Sequence, residues 1–188
     1  MFVQIAIALL SLHADAAPVS SLYARIEAKL AQRPELAASL GQAPPELKEL
    51  RWMLGRWSVR SRVFAQGDAF EESGESVVEE ILGGTWLQIR DSREGEVADL
   101  GFLSFNPVTR QWIAVGFDRT GNAVTSVATQ WDGRRLSFVA KEAVIVGERV
   151  VLRQTLEKVS DREYRILNEE QLANGTWARI DEYVYLRR

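Results

Sequence analysis

The chain has 188 residues, 46% of them hydrophobic, with 23 basic against 26 acidic side chains, the make-up of one ordinary soluble domain. It contains no cysteine and one histidine, His13, which lies in what reads as a removable leader; the chain left after cleavage is expected to have no disulfide, Cys/His zinc site, Fe–S cluster, or Ser-His-Asp or Cys-His nucleophile. Any chemistry is left to carboxylates, Tyr, Lys or the backbone.

From Phe2 to Leu12 the sequence is uncharged and too short to span a bilayer as a helix. Ala14-Asp15-Ala16 follows, in the small-x-small form that signal peptidase reads. Residues 1–16 are therefore expected to be a signal peptide cleaved after Ala16, giving a periplasmic or secreted protein. No base precedes the apolar run, so a buried helix of a cytosolic protein is the competing reading. Cleavage would remove His13, and with it the ligand that haem iron needs in a barrel protein. The remaining chain stays mildly acidic, which gives no electrostatic reason to bind nucleic acid or anionic membrane. A lipoprotein anchor needs a cysteine and is excluded, and no integral membrane association is expected.

Residues 17–45 read as a helical N-terminal extension. Leu22, Ile26 and Leu30 recur every fourth residue and stripe one helix face, Ser20 or Ser21 can cap it, and Pro34 ends it. A second short helix is signalled by Pro45 in a first turn, Glu46 at the positive end of the dipole, and the spacing of Leu47, Leu50 and Leu54. It opens the domain expected over 46–188.

Beyond Gly55 proline falls to Pro107 alone, and Val, Ile, Thr and aromatic residues dominate. Turn signals recur at Gln66-Gly67-Asp68, Gly83-Gly84, Glu94-Gly95-Glu96, Asn106-Pro107, Thr120-Gly121-Asn122, Asp132-Gly133, Val146-Gly147-Glu148, Ser160-Asp161 and Ala173-Asn174-Gly175. They divide about ten antiparallel strands of roughly eight to eleven residues, longer than the usual strand. A flat sheet of that size would expose two long edges, whereas an up-and-down barrel removes both, and an even strand number lets first and last pair antiparallel. Diameter grows with strand number, so a cavity is expected unless large side chains fill it.

Gly55-x-Trp57 opens the first strand directly after a short helix, and further motifs follow. These are Leu50-x-x-x-Leu54, Ile81-Leu82-Gly83-Gly84-Thr85-Trp86-Leu87-Gln88, Gly101-Phe102-Leu103-Ser104-Phe105-Asn106 with Trp112, and a closing Asp181-Glu182-Tyr183-Val184-Tyr185. Together these residues resemble the lipocalin or calycin superfamily, and within it a family of small, often exported bacterial proteins of unknown function. The resemblance covers about residues 46–188 and implies a lipocalin-like barrel, with no reaction attached. It also implies that Trp57 plugs the closed end, with Arg187 or Arg188 stacked across the indole.

Trp57, Trp86, Trp112 and Trp131 are candidate ligand contacts, against the competing reading that they fill a wide barrel or, for Trp57, its floor. Alternation groups Leu87 with Ile89 on one face and Trp86, Gln88 and Arg90 on the other. It likewise groups Tyr164, Ile166, Asn168 and Glu170, and Trp177, Arg179, Asp181, Tyr183 and Tyr185. Where such faces are internal, Arg90, Asp118, Asn168, Glu170, Arg179, Asp181, Tyr183 and Tyr185 can orient a ligand; where external, they form cross-strand pairs in solvent. Glu71-Glu72, Glu79-Glu80 and Glu169-Glu170 are adjacent on strands and point to opposite faces, so none is a glycosidase carboxylate pair. Asn174-Gly175-Thr176 has the form of a glycosylation site, but Asn-Gly is what a tight hairpin requires.

The expectation is an exported, non-enzymatic barrel that holds a small apolar or amphipathic molecule in its lumen, without metal, haem or other cofactor. Two alternatives stand beside it. One is a cofactorless isomerase or cyclase using Asp118, Glu170, Asp181 or Tyr185 as acid or base, which requires that group to be buried in the cavity with a shifted pKa. The other is a structural or interaction module that docks a partner on the outside of the barrel.

Overall fold

The computed structural model describes residues 21–66 and 69–188. The expected leader and part of the turn at Gln66-Gly67-Asp68 lie outside the described residues. The chain divides into two compact units, one ending at Ala38 and the other spanning Ser39–Arg188. The first holds helix α1 (Leu22–Ala31), which carries the expected Leu22, Ile26 and Leu30 stripe. Ser21 stands at its N-cap, but the hydroxyl makes no capping bond. Pro34 does more than end this helix. Its fixed φ also suits the first turn of another, and it opens α2 (Pro34–Ser39).

In the second unit a 3₁₀ helix over Pro45–Met53 buries Leu47, Leu50 and Met53. Ten strands follow: β1 (Gly55–Val63), β2 (Glu71–Ile81), β3 (Trp86–Arg93), β4 (Glu96–Asn106), β5 (Gln111–Asp118), β6 (Ala123–Ala128), β7 (Arg135–Ile145), β8 (Glu148–Ser160), β9 (Glu163–Gln171) and β10 (Trp177–Arg187). Each pairs antiparallel with its sequence neighbours, and β1 closes on β10 with Trp57 opposite Arg187 and Val63 opposite Asp181. The barrel is thus the all-β, ten-stranded, up-and-down form expected from the turns.

Register shifts interrupt five of the ladders, and one of them redirects residues singled out from the sequence. The β9–β10 ladder slips by one residue between Arg179 and Asp181, leaving Ile180 as a bulge, and a bulge exchanges the two faces of a strand beyond it. The β6–β7 seam is thin: the only ladder pair within it is Val127 with Val139, whereas the neighbouring β5–β6 seam pairs from Trp112 to Phe117. At the rim the Val146 amide donates to the Asn122 side-chain oxygen at 3.2 Å, which ties the β7–β8 turn to the β5–β6 turn.

The floor explains Gly55-x-Trp57. Trp57 is fully buried, and its indole N–H donates to the Met53 carbonyl at 2.7 Å. The Arg187 guanidinium lies 4.3 Å over the indole ring and donates to the carbonyls of Leu54 at 3.0 Å, Asp161 at 3.1 Å and Trp52. Arg187, rather than Arg188, is the stacking arginine. Gly55 has φ +118, and a Cβ there would stand 3.2 Å from the Arg187 guanidinium, so both backbone and space call for glycine. Above this sits an aromatic stack. Tyr164 meets Trp57 edge-on at 4.8 Å and lies flat against Tyr185 at 4.2 Å.

Candidate ligand site in the barrel lumen

Above the aromatic floor the lumen holds a cavity of about 400 Å³, within the range of small-molecule sites. Its wall is apolar where Ile89, Leu103, Phe138, Leu152, Leu156 and Ile166 face inward. On β4 and β5 the wall is bare, because Gly101 and Gly116 stand opposite one another in the ladder. A Cβ built on Gly116 meets nothing within 4 Å, whereas one on Gly101 would rest against Ile89 at 3.5 Å, so open space reaches the backbone at Gly116.

Toward the mouth the wall turns acidic. The ladders place Asp91 opposite Asp99 and Asp99 opposite Asp118, three carboxylates side by side across β3, β4 and β5. Across β10, β9 and β8 runs a matching row of Asp181, Asn168 and Gln154. The Gln154 amide donates to Asn168 at 3.1 Å, and Asn168 donates to Asp181 at 2.7 Å. Arg93, at the end of β3, reaches Asp99 at 3.5 Å and holds down the pKa of Asp181 from across the mouth.

These groups titrate away from their ordinary ranges. Burial pushes the Asp91 carboxyl up, even though Tyr185 donates to its Oδ2 at 3.0 Å. The Ser76 hydroxyl, opposite Asp91 in the β2–β3 ladder, also acts against that rise, and Oδ1 is closed off from solvent. Burial likewise raises Asp181 against the bond from Asn168, and Asp99 against Arg93. Tyr183 is pushed up to about 12 by burial and the neighbouring Asp181. Tyr185 lies well above its usual range for burial first and Asp91 second. Asp118 differs. Slight burial pulls it up, but hydrogen bonds from Thr120 and Asn122 outweigh that and hold it low.

Of the residues singled out from the sequence, Asp118, Asn168, Tyr183 and Tyr185 line the cavity, as does Asp181. The four tryptophans do not. Trp57 is the floor plug; Trp112 is buried edge-on against Phe105 at 5.3 Å; Trp131 stacks on Trp52 at 6.4 Å. Trp86 and Arg90 occupy the face of β3 opposite to Leu87 and Ile89, which face inward. Glu170 shares the inward face of Asn168 but stands one step beyond the cavity wall. Arg179 is a correction with a clear cause. Strict alternation puts it beside Asp181, but the bulge at Ile180 turns it outward opposite Glu169, where it packs over Phe64 at 5.5 Å. Trp177 goes outward with it, 4.3 Å under Arg153.

Sequence reasoning missed Asp91, Asp99 and Arg93. For two of them the signal was present, because Asp91 and Arg93 continue the odd-numbered face of Leu87 and Ile89. Of the acid–base candidates, Asp181 and Tyr185 are buried in the cavity wall with raised pKa, whereas Asp118 is engaged by its own turn and Glu170 is outside the wall.

Among solved structures the barrel is similar to that of Rv2717c from M. tuberculosis, at 16% identity over 78% of this chain and 99% of that one, with a TM-score of 0.53. That likeness bears on the fold. EF1p2_mFAP2b bound to DFHBI is more distant, at 12% identity over 76% of this chain and 98% of that one, with a TM-score of 0.35. No curated protein matches the chain. The floor helix, the Gly-x-Trp strand and the whole barrel fall within residues 43–187, the span that matches one family, and the chain belongs to that family, described as protein of unknown function (DUF1579).

Proposed function

We propose that the barrel binds a small amphipathic molecule in its lumen, with the apolar part among Ile89, Leu103, Phe138 and Leu156 and the polar end at the carboxylates near the mouth. The observation that carries this is the cavity of about 400 Å³ above a sealed floor, with open space beside Gly116. A structural barrel gains nothing from such a void, since unfilled volume costs stability. The polar groups that converge on it fit the usual make-up of a binding site, an apolar pocket with a few orienting polar atoms. The leader expected over residues 1–16 would place this binding outside the cytoplasm, and N-terminal sequencing of the protein from fractionated cells tests it.

Titration with the neutral fluorophore N-phenyl-1-naphthylamine, whose emission rises in apolar surroundings, tests the binding itself. Saturable enhancement is expected from the native chain. Gly116→Phe, which fills the lumen from a position with open space beside it, is expected to abolish it while leaving thermal unfolding nearly unchanged. Enhancement that survives Gly116→Phe would place the probe outside the lumen and overturn the reading.

A second reading, cofactorless proton transfer, is favoured by one observation: Asp91 and Asp181 are carboxylates in an apolar cavity with raised pKa. It would show as solvent deuterium entering the α position of a bound hydrophobic ketone, lost in Asp181→Asn.

A further inference from the structure

The charges that face the lumen are unequal in number and in how far they are satisfied. Four carboxylates, Asp91, Asp99, Asp118 and Asp181, line it, and one guanidinium, that of Arg93, stands at its mouth. Arg93 pairs with Asp99 at 3.5 Å and acts on Asp91 and Asp181 only from a distance. Asp118 is occupied by its own turn, accepting from the Thr120 amide and hydroxyl and from the Asn122 amide and side chain. Asp91 and Asp181 remain. Among the described residues neither has a Lys or Arg at salt-bridge distance. Asp181 accepts from Asn168 and Asp91 from Tyr185 and the Ser76 hydroxyl opposite it, neutral donors that leave both carboxylates without a cation in contact.

Resting on the lumen-binding reading above, we propose that the ligand is a cationic amphiphile, an apolar body bearing a protonated amine that is received by Asp91 and Asp181. An ammonium has three donors and no acceptor, which complements a wall whose unmet capacity is carboxylate oxygen. It would offset the cost of holding two carboxylates away from water without a counter-charge. A carboxylate or phosphate headgroup would instead add like charge to the same wall. A hydroxyl could satisfy one acceptor but would leave the charge unpaired. A metal ion does not fit, because the carboxylates of the row across β3, β4 and β5 do not converge on one point: among the described residues no three His, Cys, Asp or Glu side chains are placed to hold one.

Competition between three ligands of one chain length tests the proposal. Decylamine, decanol and decanoate are each used to displace N-phenyl-1-naphthylamine from the native chain at neutral pH. Decylamine is expected to displace the probe at a concentration about tenfold below that of decanol, the scale of one charge-assisted hydrogen bond, with decanoate weakest. Equal potency of amine and alcohol, or a preference for decanoate, overturns the cationic ligand while leaving lumen binding in place. Failure of the probe to bind at all, or its retention in Gly116→Phe, overturns lumen binding and this proposal together. In Asp91→Asn and in Asp181→Asn the ratio of amine to alcohol potency is expected to fall toward one, and a ratio unchanged in both variants overturns the assignment to these carboxylates. Acidification supplies an independent measure in the native chain: the preference for amine fades as Asp91 and Asp181 take up protons, and a preference that persists after they are neutral counts against them.

Discussion

The two ends of the barrel are built by opposite means. The floor is made of the largest side chains interlocked: Trp57 bonded to Met53, Arg187 across the indole with three backbone carbonyls in its grip, and Tyr164 wedged edge-on above. The mouth is made of glycines and short acids, with Gly101 facing Gly116 and carboxylates raised in pKa by their own burial. One end maximises contact and satisfies its cation, while the other leaves space and carboxylates that outnumber their one guanidinium. If the lumen binds as proposed, one end of the cylinder serves stability and the other recognition, so damage at each end should be read by a different instrument.

The largest effect is expected at the floor. Trp57→Ala should cost about 3–5 kcal/mol in denaturant or thermal unfolding, and an unchanged Tm would break the division between the ends. Arg187→Met should follow at about 2 kcal/mol, from the lost cation–π contact and the carbonyls left without a donor, with probe affinity per folded molecule unaltered. At the mouth the sign reverses. Because the folded-state pKa of Asp91 lies above its ordinary value of 3.8, the folded chain holds that proton more tightly than the unfolded one. Ionised Asp91 therefore opposes folding above its folded pKa, and the penalty vanishes as pH falls toward the unfolded value. Asp91→Asn should raise Tm at neutral pH by a small amount and by nothing near pH 4, so the gap between native and variant curves isolates this group from Asp118, whose lowered pKa acts the other way. A variant that is less stable at neutral pH would show that the Tyr185 bond outweighs desolvation. The smallest effect belongs to Arg179→Ala, outside the wall, at within about 0.5 kcal/mol and with no change in binding; loss of binding there would refute the outward turn at Ile180.

The floor was readable from sequence because its parts are large and locally marked: a glycine two residues before a tryptophan, a short helix ahead of it, and an arginine on the last strand. The closed topology was readable because each hairpin announces itself with Gly, Asn or Asp. The wall was less so. Period-two alternation sorted Leu87 from Arg90 and Asn168 from Glu169, but it does not carry across a bulge, and Ile180 has no feature that marks it as one; Arg179 and Trp177 were misplaced for that reason alone. The tryptophans misled in another way, since an indole on a strand is drawn wherever there is volume to fill, and here that volume lies at the floor and on the outer surface. Asp91 was overlooked because an acid next to Arg90 and Arg93 looks like one more surface charge, until the register shows it following Ile89 inward.

The β6–β7 seam gives the cylinder a direction in which to yield. With Val127 and Val139 as the one ladder pair within it and Asn122 holding the rim, β6 and β7 each retain much of the character of a free sheet edge. Their amides should be the first of the barrel to exchange with solvent.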